Sequence, residues 1–238
     1  MRAANLRCHA LDDVSPRQTQ AVPPQRRIYT DGSCKQGGKR KKEKDAQPEQ
    51  AGYAYVVTRC AALPATAGDA AVNRSETVVF AGCGRVQLAR GAPDYRGAAT
   101  HSNNTGELTG LLAPIEAELR VDDGRPVEFC TDSLLALRTA TGATMGTKAN
   151  AALARRLRFA FARLCARRGH NRVTIRHVYA HAKRAGNEAA DRLAKAGACG
   201  AASGATAEVF RIAAAAHSEF QQHQRHDQED ISRVRDTG

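Results

Sequence analysis

The 238-residue sequence predicts an α/β domain on a mixed five-stranded sheet, three strands antiparallel and two parallel, flanked by helices. Two observations carry this expectation. The first part of the chain holds three short apolar runs separated by Gly-, Pro- and Asn-rich stretches, the pattern of an antiparallel meander. Beyond it, apolar strands alternate with segments of helical periodicity, the pattern of parallel strands joined by crossover helices.

The elements follow in order. Residues 1–25 are polar, with Pro16, Pro23 and Pro24, and read as a mobile tail. Arg27 to Thr30 is a short strand ending in Asp31-Gly32-Ser33, a turn signal. Residues 35–50 lack Val, Ile, Leu and aromatics and form a basic loop. Tyr53 to Thr58 is a second strand, 61–75 a loop, and Glu76 to Leu88 contains a third strand. Asn104 to Arg120 carries Leu108, Leu112, Ile115 and Leu119 at helical spacing, with Ser102 to Thr105 as capping choices. Pro114 removes one hydrogen bond from that helix. Val127 to Thr131 is a fourth strand running into Asp132, and Ser133 to Thr139 is a short helix. Lys148 to Arg168 is a longer helix, with Leu153, Leu157, Phe161 and Leu164 on one face and arginines on the others. Val173 to Tyr179 is the fifth strand and Gly186 to Ala196 the last helix of the domain, which is expected to span 26–198. Residues 199–238 are Ala-rich and then Gln/His-rich, a tail with one helix near Ala205 to Gln222 or without order.

Charge narrows the partners. The excess of 36 Lys+Arg over 24 Asp+Glu attracts polyanions, and its placement is more informative than its size. From Ser133 to Asn187 there is no acid, while twelve Lys and Arg fall there, a surface suited to phosphates. The seven cysteines form no C-x-x-C pair, which argues against a zinc knuckle or disulfide framework and fits a reducing, intracellular compartment, nucleus or cytoplasm. No run of eighteen apolar residues exists, so no membrane span is expected.

Four acids stand where structure alone does not call for them. Asp31 and Asp132 end strands, Glu107 lies in the first turn of the first long helix, and Asp191 shares a helix face with Asn187 four residues earlier. Carboxylates at the ends of neighbouring parallel strands crowd together, and they tolerate this only with a cation or a shared proton. Mg²⁺ takes oxygen ligands, and two such ions about 3.5–4 Å apart can clamp the attacking and leaving oxygens of a phosphodiester. Each acid also has an ordinary reading, as a turn residue, a helix-dipole partner, a cap or a solvated helix acid.

The flanking residues sharpen the choice. Tyr29-Thr30-Asp31-Gly32-Ser33, Asn103-Asn104-Thr105-Gly106-Glu107-Leu108, Thr131-Asp132-Ser133 and the run from His181 through Gly186-Asn187-Glu188 to Asp191 resemble, in order, the four motifs of the type 1 ribonuclease H family. The resemblance covers roughly residues 27–197 and implies a ribonuclease H-like fold. It also implies an endonuclease that cuts the RNA strand of an RNA–DNA hybrid, leaving 5′-phosphate and 3′-hydroxyl ends. Asp31 would bridge two Mg²⁺ ions (Mn²⁺ being the alternative), Asp191 would hold the ion that activates water, and Glu107 and Asp132 the ion facing the leaving oxygen. His181 would assist proton transfer or product release. Asn103, the backbone near Ser33 and Cys34, and Glu107 would read the 2′-hydroxyl, and Ser102 would touch a phosphate of the DNA strand. Asn187 joins them as a candidate substrate contact, and a monomer is expected.

The sequence also departs from the family. Lys183 stands where Gly is frequent, the loop after Asp31 is longer and very basic, and only the link from Gly142 to Thr147 joins the middle helices, leaving no room for an extra basic helix. The insert at 35–50 and the Arg-rich helix are candidates to replace that grip. Lys39 to Lys42 also reads as a nuclear localisation signal or a solvated loop. A transposase or resolvase on the same fold, a detached reverse-transcriptase domain, and a non-catalytic binder are the competing readings.

Overall fold

The computed structural model describes residues 26–35, 49–60, 75–121, 123–145, 148–179 and 184–236. The expected tail at 1–25, most of the basic insert and His181 lie outside the described residues. The strands are β1 (Arg26–Lys35), β2 (Gln50–Cys60), β3 (Glu76–Arg85), β4 (Val127–Thr131) and β5 (Val173–His177). The helices are α1 (Asn103–Glu118), α2 (Leu134–Ala140), α3 (Ala151–Arg168, entered through a 3₁₀ turn at Lys148–Asn150), α4 (Ala185–Cys199) and α5 (Ala207–Asp236).

The sheet runs in the order β3-β2-β1-β4-β5. β1 to β3 pair antiparallel, and β4 lies parallel to both β1 and β5. This is the mixed five-stranded sheet that the sequence predicts. Both faces are covered, so the side chains of β1 from Arg27 to Asp31 and all of β4 are buried, polar ones included. Side chains alternate across the sheet. Ile28 and Phe129 pack with Leu108, Leu111, Leu112 and Ile115 of α1 and Leu153, Leu157 and Leu164 of α3. Tyr29 and Cys130 pack on the other face with Ala189, Ala190 and Leu193 of α4.

Two elements differ from the sequence reading. Asp31-Gly32-Ser33 is strand, not turn, because β1 stays paired with β2 through Asp31↔Ala54 to Lys35↔Gln50. Asp-Gly is a turn signal only where no neighbour holds the backbone extended. The segment after Cys199 forms the long α5, which puts Val209, Ala213 and Ala216 into the same core as α4.

A buried ion network lies across the sheet. Arg27 donates to Glu76 at 2.8 Å and to Glu128 at 2.6 Å, and the Tyr29 hydroxyl donates to Glu76 at 3.0 Å. Arg176 pairs with the other oxygen of Glu128 at 2.8 Å. With this many partners, buried charges are tolerated that would otherwise be costly.

Candidate active site

The site grows from the point where two strands part. The parallel pairing of β1 with β4 ends at Thr30↔Thr131, so Asp31 and Asp132 emerge side by side. α1 supplies the third acid. Gly32 makes this possible: a Cβ there would lie 2.0 Å from the Glu107 amide nitrogen. Gly110, one turn on, faces the Asp31 carbonyl, 2.5 Å from where its Cβ would stand. With no side chain at either position, the helix start lies directly on the strand. Carboxylate oxygens of Asp31, Glu107 and Asp132 consequently fall within 4.8 Å of one another.

Such crowding has an electrostatic signature. Burial, then the charges of Asp132 and Asp191, push the Asp31 carboxyl up to about 8, against the pull of the Gly32 N–H and a hydrogen bond with Glu107. Gly32 N donates to Asp31 Oδ1 at 2.6 Å. Burial and the neighbouring Asp31 and Asp132 charges likewise raise Glu107 well above the ordinary carboxylate range. Glu107 Oε2 is buried without a hydrogen-bond partner. Three converging oxygen donors, an orphaned lone pair and carboxyls that resist ionising alone fit a hard divalent cation.

Asp191 stands apart from that group of three. It is one turn into α4, where its Oδ2 accepts from Lys195 Nζ at 2.6 Å, although its charge still reaches Asp31. Asn187 lies on the same helix face, is 5% exposed, and keeps a buried Oδ1 without a partner. Ser102 caps α1, its Oγ accepting from Thr105 N at 3.1 Å. Asn103 is the exposed first residue of α1. Ser33 and Cys34 lie on β1 beyond Asp31, paired with Gly52 and Ala51.

Residues that the sequence reading passed over complete the surroundings. His177 ends β5 opposite Thr131, and its Nε2 lies 3.1 Å from the Asp132 carbonyl oxygen. Exposed Tyr179 stands edge-on to that imidazole at 5.2 Å. Asn150 is buried and donates to Thr105 Oγ1 at 2.9 Å, tying the start of α3 to the start of α1. The signal for His177 was its place in register beside the strand end that carries Asp132. Nothing local marked Asn150.

Among known sequences, the RNase H family profile matches residues 66–199, more than half of the chain. The match takes in Glu107, Asp132 and Asp191 and begins after Asp31. No curated protein matches in sequence. RNase H1 from the halophilic archaeon Halobacterium salinarum is 21% identical over 73% of this chain and 96% of its own, with a TM-score of 0.40. The N-terminal RNase H domain of a Mycobacterium tuberculosis protein is 20% identical over 75% and 96%, with a TM-score of 0.46. A compost-derived RNase H1 solved in complex with an RNA/DNA hybrid is 17% identical over 74% and 98%, with a TM-score of 0.45.

Proposed function

Because this chain belongs to the RNase H family and has its fold, we propose that it is an endonuclease hydrolysing the RNA strand of RNA–DNA hybrids, acting as an intracellular monomer and leaving 5′-phosphate and 3′-hydroxyl ends. The observation that carries this reading is the convergence of Asp31, Glu107 and Asp132 within 4.8 Å at the ends of adjacent parallel strands. Asp31, Glu107, Asp132 and Asp191 would hold two divalent cations, Mg²⁺ or Mn²⁺. Bound there, the ions would supply Lewis-acid activation of water and charge neutralisation at the leaving oxygen.

The chain's own residues do the positioning. Asp31 keeps its orientation through the Gly32 amide. His177 steadies the backbone of Asp132 through its carbonyl. Asp191 would turn to a cation from its 2.6 Å pair with Lys195, which engages only Oδ2. Exposed Asn103 offers an amide donor and acceptor to a 2′-hydroxyl, the group that separates RNA from DNA. The backbone at Ser33 and Cys34 continues that surface, Ser102 contributes a phosphate contact beside its capping role, and Asn187, whose Oδ1 has no partner, is a further candidate substrate contact. His181 would assist proton transfer or product release.

The test is cleavage of a labelled hybrid with Mg²⁺, beside double-stranded RNA and DNA and an Asp31→Asn variant. The expected result is scission of the hybrid's RNA strand alone, lost in the variant. Cleavage of DNA would move the assignment to a transposase- or resolvase-like nuclease. Hybrid binding without cleavage would make the chain a non-catalytic member.

A further inference from the structure

The acid-free stretch of sequence folds into a defined surface. On α3 the exposed arc is Arg155, Arg156, Phe159, Arg163, Ala166 and Arg167, with Phe159 at its centre and 69% exposed. Arg155 and Arg163 stand one turn to either side of it at i−4 and i+4, a span of about 12 Å at 1.5 Å per residue. Neither has an ion-pair or hydrogen-bond partner among the described residues. Glu116, an acid on this surface, is already paired with Arg96 at 3.1 Å and Arg156 at 2.5 Å. A shallow groove of about 370 Å³ runs beside Phe159, bordered by Arg120, Arg156 and Arg163 and by the paired Glu116.

An exposed aromatic ring set among unpaired guanidinium groups matches one ligand chemistry closely. Guanidiniums answer phosphates, and the flat ring offers a stacking face to a base. Only an unpaired base can use that face, since the bases of a duplex are stacked on one another. We propose that this face of α3 is a second nucleic-acid site, for a single strand: Phe159 stacks on a base while Arg155, Arg163 and Arg120 bind the flanking phosphates. The buried Asn150–Thr105 bond places the start of α3 beside the start of α1, which carries Glu107, and the arginine stripe leads away from that end. A single-stranded tail leaving a hybrid is therefore the occupant that fits. The site goes beyond the proposed hydrolysis and does not depend on the acid cluster.

The test is fluorescence anisotropy of a labelled 20-nucleotide oligo(dT) and of a blunt RNA–DNA hybrid, with the full chain in EDTA. Wild type, Phe159→Ala and Arg155→Gln/Arg163→Gln are compared, after melting curves show that each variant folds. Stacking predicts that Phe159→Ala weakens single-strand binding by about tenfold, within the roughly 5- to 150-fold range of one stacked base. The same variant should change blunt-hybrid binding less than twofold. The double arginine variant should lower the salt slope for oligo(dT) by about 1.4, at about 0.7 per phosphate. Equal single-strand affinity for wild type and Phe159→Ala, or no single-strand binding at low salt, overturns the proposal. A dimer in sedimentation that Phe159→Ala dissociates also overturns it, and assigns the face to a second copy of the chain.

Discussion

Replacing Gly32 with alanine should disable the site through the backbone alone. The added methyl would meet the Glu107 nitrogen at 2.0 Å and the Gly106 carbonyl carbon at 2.2 Å, both backbone atoms that no rotamer change can move. Real Cβ contacts stay beyond about 3 Å, so the start of α1 must recede by about 1 Å. Overpacking of that kind costs about 1–3 kcal/mol. A misplacement of about 1 Å in a catalytic group costs on the order of 100-fold in rate. The assays are urea denaturation and hybrid cleavage at saturating Mg²⁺. Gly91→Ala is the control, because nothing lies within 4 Å of its added Cβ. Gly32→Ala with more than half of wild-type activity and stability within about 0.5 kcal/mol of it would refute the claim that this close approach sets the acid geometry.

Other perturbations test the remaining physics. Arg27→Met leaves Glu76 and Glu128 buried without their shared cation and should cost about 3–5 kcal/mol. Urea unfolding checks this, and a loss below about 1 kcal/mol would count against the network. In EDTA, folded Asp31 binds its proton up to about 8 while the unfolded carboxyl releases it near 4. Metal-free stability should therefore fall as pH rises from 6.5 to 8, an effect that Asp31→Asn reduces and that buried Glu107 shares; parallel melting curves of the two proteins would exclude the Asp31 part. Mg²⁺ should raise the melting temperature more at pH 8 than at 6.5, and a shift independent of pH would speak against occupancy of this cluster. Buried His217, held neutral down to about 4, has the opposite sign. Its contribution is lost as pH falls from 6.5 toward 4, so His217→Leu should flatten the acid limb of the stability curve, read by circular dichroism.

Particular residues show what the sequence made legible. β4 was readable to its bounds, Val127 to Thr131, because a short run with Val127, Phe129 and Cys130 stops at Asp132-Ser133, a helix-cap signal. The candidate acids were visible because each stands inside a short recognisable run, Asp31 in Thr-Asp-Gly-Ser, Glu107 near a helix start, Asp132 in Thr-Asp-Ser and Asp191 four residues after Asn187. The extension of β1 through Asp31-Gly32-Ser33 was not visible, since the local turn preference yields to pairing with β2, a contact between residues far apart in sequence. Nor was the meaning of Gly32 and Gly110, because a glycine needed for close approach looks like one in a loop. The reach of α5 was hidden by its alanines, which carry little hydrophobic signal singly yet fill the narrow space against α4. No helix among the described residues is long and apolar enough to cross a membrane.

The segment that follows α4 has a consequence for solubility. β3 is an outer strand of the sheet, and such a strand offers free amides and carbonyls to any passing chain. Here Gly204 closes an antiparallel bridge with Cys83, the two exchanging N–H···O bonds of 3.0 and 2.6 Å, and α5 then returns to pack beside β3. Trimming the chain after Cys199 would uncover this rim together with the apolar side chains beneath it. Loss of the segment would then show itself as edge-to-edge aggregation.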